Sequence, residues 1–310
     1  MNNLIKKYYI IMGEICCKKA APQIVLKNEP EKVAKQYSSK LDKYNVEFEA
    51  NYNFFKYIQL CDYLIIVSHI KSGSIEIAPS TTKVRGTFNE ELTIGEYLSF
   101  IKNKILSNFL IQDFQNDKPD HLQLFEEFMQ QMFDSLIAAR FTLLKEKNKN
   151  SEKKIKKKDV TTIKKIILVA FGLLYCASSF KNKTEIFFNL FMNENSCLGL
   201  SDELDDFLFF LFLIPSYLTH RVVRNLSPKF PQLLTTMREE DDVNLAEFFE
   251  FEDVQRIKGL FYKELFGESN SITKISYEQS FMGDKFDWLF DTRGIRFQLE
   301  INNNNSEEKK

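Results

Sequence analysis

Glycine and proline are scarce in this chain of 310 residues, with 10 glycines and 7 prolines. The scarcity excludes collagen-like and low-complexity proteins, and it disfavours β-sandwiches and barrels, whose many turns require these residues. The three histidines, His69, His121 and His220, lie far apart and lack the spacing of metal ligands. We therefore interpret them as structural residues.

Cysteine is also infrequent, and no Cys-x-x-Cys motif is present. An odd number of cysteines without paired spacing argues against a disulfide framework or a zinc site. The chain fits a reducing compartment, and we expect a cytoplasmic protein without a cofactor. The five cysteines are Cys16, Cys17, Cys61, Cys176 and Cys197.

Long apolar runs are missing as well. The longest uncharged runs, 166–180 and 207–220, contain 15 and 14 residues, whereas a membrane-spanning helix needs about 20. These lengths favour buried core helices. The apolar stretch near the N-terminus is too short for a secretory signal.

No charge of one sign dominates, since 42 basic residues balance 43 acidic ones. This balance predicts no nucleic-acid partner. Residues 145–158 are nonetheless basic and residues 239–253 acidic, and both segments are typical of solvated surfaces. The basic segment could also attract an anionic membrane surface. The lysines proposed for that contact are Lys153, Lys154, Lys156, Lys157 and Lys158.

The N-terminal stretch contains a pattern typical of lipid attachment. Gly13 follows Met12, and Cys16 and Cys17 precede two lysines. The pattern predicts myristate on Gly13 and palmitate on the cysteines, because one acyl chain alone binds membranes only marginally. The prediction requires translation to start at Met12, and Cys17 stands where Ser or Thr is usual. The alternative is a chance Met-Gly beside two ordinary cysteines.

Phenylalanine is abundant, with 30 residues, and apolar residues recur at helical spacing from residue 46 onward. We predict an all-α fold with an aromatic core. Within it, the alternation over 294–301 predicts a short strand. The expected divisions are an N-terminal arm (1–44), an N-terminal helical lobe (45–144), a basic linker loop (145–159), a C-terminal helical lobe (160–301) and a disordered tail (302–310).

Several helix starts share one pattern, in which an apolar residue is followed closely by an acidic residue and then by an apolar helix. It occurs at residues 92–97, 200–204, 243–248 and 275–279. Carboxylates are favourable at a helix start, where they interact with the helix dipole and with free amides. One explanation is therefore a generic α-helical domain with ordinary capped helices.

The other explanation is a resemblance to the EF-hand family, whose unit is a helix, a 12-residue loop and a second helix. The pattern resembles the exit half of such a unit. The stretch 161–192, which includes Phe188-Asn189-Leu190-Phe191, is similar to the junction between the central hands of recoverin-like and calcineurin-B-like sensors. The resemblance implies EF-hand-like helix–loop–helix repeats packed as one or two lobes. It also implies that an apolar residue at loop position 8 pairs with a partner loop.

Calcium binding is predicted to be lost. Calcium needs six to eight oxygen ligands, supplied mainly from loop positions 1, 3, 5 and 12, with glycine at position 6. The loops 85–96, 192–203, 236–247 and 267–278 never combine an acidic first residue with that glycine. We therefore predict no metal site. The vestigial positions are Glu194, Glu203, Glu247 and Glu278.

No motif of a nucleotide-binding, hydrolase, kinase or metalloprotease family is present. We expect a non-catalytic adaptor that binds a partner protein helix at a cytoplasmic membrane face. Two alternatives stay open, a soluble structural subunit of a large cytoskeletal or ciliary assembly and an enzyme with a non-obvious helical active site. The aromatic stretch 207–212 is typical of a core, and it could also line a groove for a partner helix. Its residues are Phe207, Phe209, Phe210 and Phe212.

Overall fold

A computed structural model describes residues 42–51, 53–68, 70, 88, 90–106, 119–149, 156–230 and 251–307. Helices account for most of this part of the chain, so the predicted all-α class is confirmed. The helices are α1 (Asp42–Asn51), α2 (Leu60–Ser68), α3 (Ile94–Phe100), α4 (Pro119–Lys147), α5 (Lys165–Tyr175), α6 (Phe180–Phe191), α7 (Asp202–Leu213), α8 (Thr219–Leu226), α9 (Phe251–Phe266), α10 (Lys274–Ser280) and α11 (Thr292–Glu307). The strands are β1 (Glu91–Thr93), β2 (Thr162–Lys164), β3 (Cys197–Gly199) and β4 (Ser271–Thr273).

The strands form two antiparallel ribbons. β1 pairs with β2, which places Leu92 opposite Ile163. β3 pairs with β4, which places Leu198 opposite Ile272. Because α3, α5, α7 and α10 each follow one of these strands, every ribbon ties together the starts of two helices.

Side-chain caps explain where three of these helices begin. Thr93 and Glu96 form a capping box at the start of α3, in which the Thr93 amide donates to the Glu96 carboxylate at 2.8 Å. The Ser201 hydroxyl accepts from the Leu204 amide at 3.2 Å, and Thr273 caps α10 in the same manner. These caps are the local basis of the recurring sequence pattern.

Nearly all buried apolar side chains of the described residues form one continuous core. α7 continues through a π-helical turn, Ile214–Leu218, into α8, and the three segments make one helix of 25 residues, Asp202–Leu226. By length and composition alone this helix could cross a membrane, but most of it is buried in the fold. It packs against α5, α9 and α11, and therefore forms the centre of the core.

Contacts join the two sides of the linker loop predicted at residues 145–159. α4 continues to Lys147, inside the predicted linker. β1, from the predicted first lobe, pairs with β2 from the second, and α8 packs against α4. The first ribbon therefore crosses the expected boundary, because its two strands come from opposite sides of it.

α11 replaces two predicted features. Residues 294–301 are helical rather than a strand, because the Asp291 carboxylate caps the first turn. The predicted disordered tail (302–310) is helical as far as Glu307. The residues that α11 buries along one helical face include Ile295, Arg296 and Leu299.

Candidate functional site: the paired loops

The two ribbons differ in how deeply they are buried. Leu92, Ile163 and Leu198 are fully buried, whereas Ile272 is only half-buried. α10, which follows β4, buries only Tyr277. The β4–α10 segment is therefore the part of the paired loops that faces solvent most openly.

Arg140 holds the first ribbon together. Its guanidinium donates to the Thr162 carbonyl at 2.6 Å and also forms an ion pair with Glu91. The hydrogen bond from Arg140 lowers the pKa of Glu91, with help from the Thr162 hydroxyl and against a smaller effect of burial. The carboxylate nearest to this ribbon is thus already neutralised by an arginine, which opposes cation binding.

The loop before β3 is a tight turn. The Asn193 side-chain oxygen accepts from the amides of Asn195 and Cys197, both at 3.0 Å. Ser196 has a φ of 57° in the left-handed region, which a non-glycine residue adopts at some cost. Met192 bridges to Leu198, which closes the turn. Since backbone amides already occupy the Asn193 oxygen, this loop offers little to a metal ion.

Two aspartates near the start of α7 form ion pairs with lysines from other elements. Lys147 lies 2.6 Å from Asp206, and Lys258 lies 2.7 Å from Asp205. Lys164, from β2, lies 3.5 Å from Asp206. Partial burial opposes the charged form of Lys147, but Asp206 outweighs it and raises the pKa of the lysine. This network links both ribbons and serves to hold the structure together.

The predicted metal positions do not converge. Glu194 lies in the exposed turn, Glu203 in the first turn of α7 and Glu278 in α10. Glu247 and its loop, 236–247, lie outside the described residues. In the part of the chain that the structure describes, no cluster of three or more His, Cys, Asp or Glu residues could hold a metal ion.

The structure contradicts the predicted partner groove. The rings of Phe207, Phe209, Phe210 and Phe212 are between 0% and 3% exposed, so they form the core rather than an open groove. Phe212, for example, packs against Phe261 of α9 and against Trp288. The chain fills this space with its own helices.

Only some residues of the predicted membrane-binding lysine cluster and lipidation sites belong to the part of the chain that the structure describes. Lys156 and Lys158 are exposed, and Lys157 begins a short 3₁₀ turn. The remaining residues of these predictions, which lie outside the described part of the chain, are Lys153, Lys154, Gly13, Cys16 and Cys17.

The burial of several charged or titratable residues was not predicted from the sequence. Arg296 is fully buried, His220 is 4% exposed and Lys183 is 9% exposed. None belongs to a motif, and an isolated cation in an amphipathic helix normally faces water. Their burial depends on elements distant in sequence, so no local pattern indicates it.

Neither protein-family models, nor curated proteins, nor solved structures match this chain.

Proposed function

We propose that this chain is a non-catalytic adaptor built on two pairs of EF-hand-like units that have lost calcium binding. The observation that carries the proposal is the pair of antiparallel ribbons, each of which joins the starts of two helices. A generic helical bundle does not need such strands, whereas paired EF-hands use them to couple neighbouring loops.

The positions of single residues support this relationship. If Leu198 occupies loop position 8, Ser196 occupies position 6, where EF-hands carry glycine. Ser196 has the positive φ that favours glycine at that place. In the first unit, Leu92 takes position 8 and Glu96 takes position 12, where it forms the capping box.

The same registers explain the loss of calcium. Aligning Leu198 and Ile272 at position 8 shifts the predicted loops to 191–202 and 265–276. Position 1 is then Phe191 or Leu265, which are buried apolar residues without a ligand oxygen. In the second unit, Ile163 at position 8 places Lys156 at position 1, where its cation opposes calcium.

We propose that the partner helix binds the open surface of α10 and the turn that follows it. Ile275 of α10 is 70% exposed, and Met282, two residues after α10 ends, is 82% exposed. Exposed large apolar residues in a segment that buries little are typical of a contact surface. This surface replaces the groove expected at the core phenylalanines.

The proposed location at a cytoplasmic membrane face depends on the N-terminal sequence pattern. Gly13 would carry myristate, Cys16 and Cys17 palmitate, and the lysines of 153–158 would contact anionic lipids. The test is flotation with anionic liposomes of a chain that starts at Met12 and is expressed with an N-myristoyltransferase. Gly13→Ala should abolish flotation, and equal flotation of both proteins would refute the anchor.

The runner-up is a soluble structural subunit of a larger cytoskeletal or ciliary assembly. The filled aromatic core favours it, because a rigid body without an open groove suits a permanent component better than a helix-capturing sensor. The native mass of the endogenous protein separates the two proposals. A small detergent-soluble complex supports the adaptor, and a large salt-extractable complex supports the subunit.

The adaptor itself is tested with Ile275→Asp and Met282→Asp, since both exposed positions tolerate charge without affecting the core. Proximity labelling in the native cell compares these variants with the control Lys274→Asp on the same helix. The proposal predicts that the apolar substitutions remove one set of neighbours that the control keeps. Identical neighbours for all variants would contradict the proposed surface.

A further inference from the structure

α1 contacts the rest of the fold through two carboxylates. The fully buried Arg296 of α11 donates to Asp42 at 2.8 Å and to both carboxylate oxygens of Glu49 at 2.8 Å and 3.1 Å. The Thr292 hydroxyl, at the start of α11, also donates to Glu49 at 2.9 Å. Asp42 and Glu49 are seven residues apart, about two helical turns, so they lie on one face of α1. α11 therefore recognises a helix with two acidic residues at this spacing.

The apolar contribution of α1 is small. Among the α1 residues whose burial the structure describes, Asn45 and Phe48 are buried. The Phe48 ring stacks on Phe128 of α4, with ring centroids 4.1 Å apart. α8 also packs against α1. A helix that belongs to a core normally buries a continuous apolar stripe, whereas the described positions of α1 supply one buried apolar side chain.

Asn45 makes the docked position of α1 less favourable. It lies between the two acidic residues and is completely buried, and neither its side-chain oxygen nor its side-chain nitrogen has a hydrogen-bond partner among the described residues. A buried amide without partners costs free energy, because it loses its hydrogen bonds to water. A helix with an apolar residue at this position would avoid that cost.

We propose that α1 is an autoinhibitory helix, which occupies a docking groove for an acidic amphipathic helix of another protein. The groove lies between α4, α8 and α11. The partner helix carries two carboxylates seven residues apart and an apolar residue where α1 has Asn45. Because its carboxylates replace those of Asp42 and Glu49, the exchange does not leave Arg296 without a counterion. This second surface does not depend on the proposed contact at α10.

The exchange is tested on the full chain with a fluorescent peptide of residues 42–53 that carries Asn45→Leu. Leucine has the shape of asparagine without its polar atoms, so the peptide should compete with α1. Fluorescence anisotropy measures its affinity. The matched control peptide also carries Asp42→Lys and Glu49→Lys, and it should bind at least about tenfold more weakly, since its cations oppose Arg296. Equal affinity of the two peptides would overturn the proposal.

Variants of the full chain then test whether α1 controls access to the groove. Phe48→Ala should loosen α1 and raise the affinity for the acidic peptide, whereas Asn45→Leu should hold α1 in place and lower that affinity at least about tenfold. If Phe48→Ala disturbs the fold, the comparison of Asn45→Leu with the wild type decides. Ile275→Asp on α10 should leave the affinity unchanged. Equal binding to wild type and Asn45→Leu, no binding to any folded chain, or loss of binding in Ile275→Asp would refute the autoinhibited groove.

Discussion

Arg296 of α11 binds both carboxylate oxygens of Glu49 of α1, at 2.8 Å and 3.1 Å, across 247 residues of sequence. The same guanidinium donates to Asp42 at 2.8 Å and to the Pro215 carbonyl at 3.1 Å. Burial opposes its charge, but Glu49 and Asp42 outweigh burial and raise the pKa of Arg296. Pro215 lies in the π-helical turn of the central helix, so one side chain joins α1, α11 and the core.

Removing this guanidinium should destabilise the fold strongly. Arg296→Met leaves two carboxylates without their cation, and breaking a buried ion pair costs about 3–5 kcal/mol. The free energy of unfolding, measured by urea denaturation, should fall by that amount. The control is Lys274→Met, whose pair with Glu278 is about half exposed and should contribute less than about 1 kcal/mol. Similar losses for the two variants would contradict a central role for Arg296.

Gly294 allows α11 to approach the chain at Trp288. A Cβ at position 294 would lie 2.7 Å from the Trp288 Cα and 3.0 Å from its carbonyl oxygen, where backbone cannot easily move. Gly294→Ala should therefore cost about 1–3 kcal/mol of unfolding free energy.

Gly259 provides the matched control, since it lies within α9 and a Cβ there would meet nothing within 4 Å. Gly259→Ala should stabilise the protein by about 0.5–1 kcal/mol, because alanine favours helix. Thermal denaturation should show shifts of opposite sign for the two variants, and shifts of the same sign would refute the predicted clash.

The second ribbon should contribute to stability through its central pair. Leu198→Ala removes a fully buried side chain and should cost about 2–4 kcal/mol. A double-mutant cycle with Ile272→Ala should give a coupling of about 0.5–1 kcal/mol, as cross-strand neighbours do. The exposed Ile275 serves as the control, and its alanine variant should add independently to Leu198→Ala. Zero coupling between Leu198 and Ile272 would argue against the observed register.

Acid should weaken the fold through His220. Burial, with a smaller effect of Arg224, lowers its pKa to about 4, against about 6.5 in the unfolded chain. The unfolded state therefore binds more protons between these values, and this contribution to stability is lost as the pH falls from 6.5 toward 4.

Between about pH 7.5 and pH 5 the loss should be roughly 2 kcal/mol. His220→Leu should lose less stability over this interval than the wild type in urea titrations. An unchanged pH dependence would show that His220 is not the responsible group.

Local features of the fold were accessible from sequence, and distant contacts were not. The pattern at 92–97 identified the start of α3, because Thr93 and Glu96 cap each other over three residues. Apolar residues at helical spacing from residue 46 onward likewise predicted the all-α class. Such signals depend only on neighbouring side chains.

Residues 294–301 show why the rest could not be predicted. The alternation of apolar and polar residues suggests a strand with Arg296 facing water. Arg296 is instead buried, where it forms ion pairs with Glu49 and Asp42. Once Arg296 is buried beside Ile295, the buried positions follow a helical face and not an alternating one. The predicted groove fails for the same reason, because α5 and α9, which are distant in sequence, pack against the helix that carries these phenylalanines.

The most direct test of the proposed calcium-insensitive units is thermal unfolding of the full chain in about 10 mM CaCl₂, compared with the same concentration of MgCl₂. A ligand that binds only the native state raises the unfolding temperature. The first loop positions hold Arg85, Lys156, Phe191 and Leu265, none of which supplies a carboxylate. We therefore predict equal unfolding temperatures, within about 1 °C, in the two salts. A rise of several degrees in calcium alone would contradict the account, because it would reveal an intact calcium site.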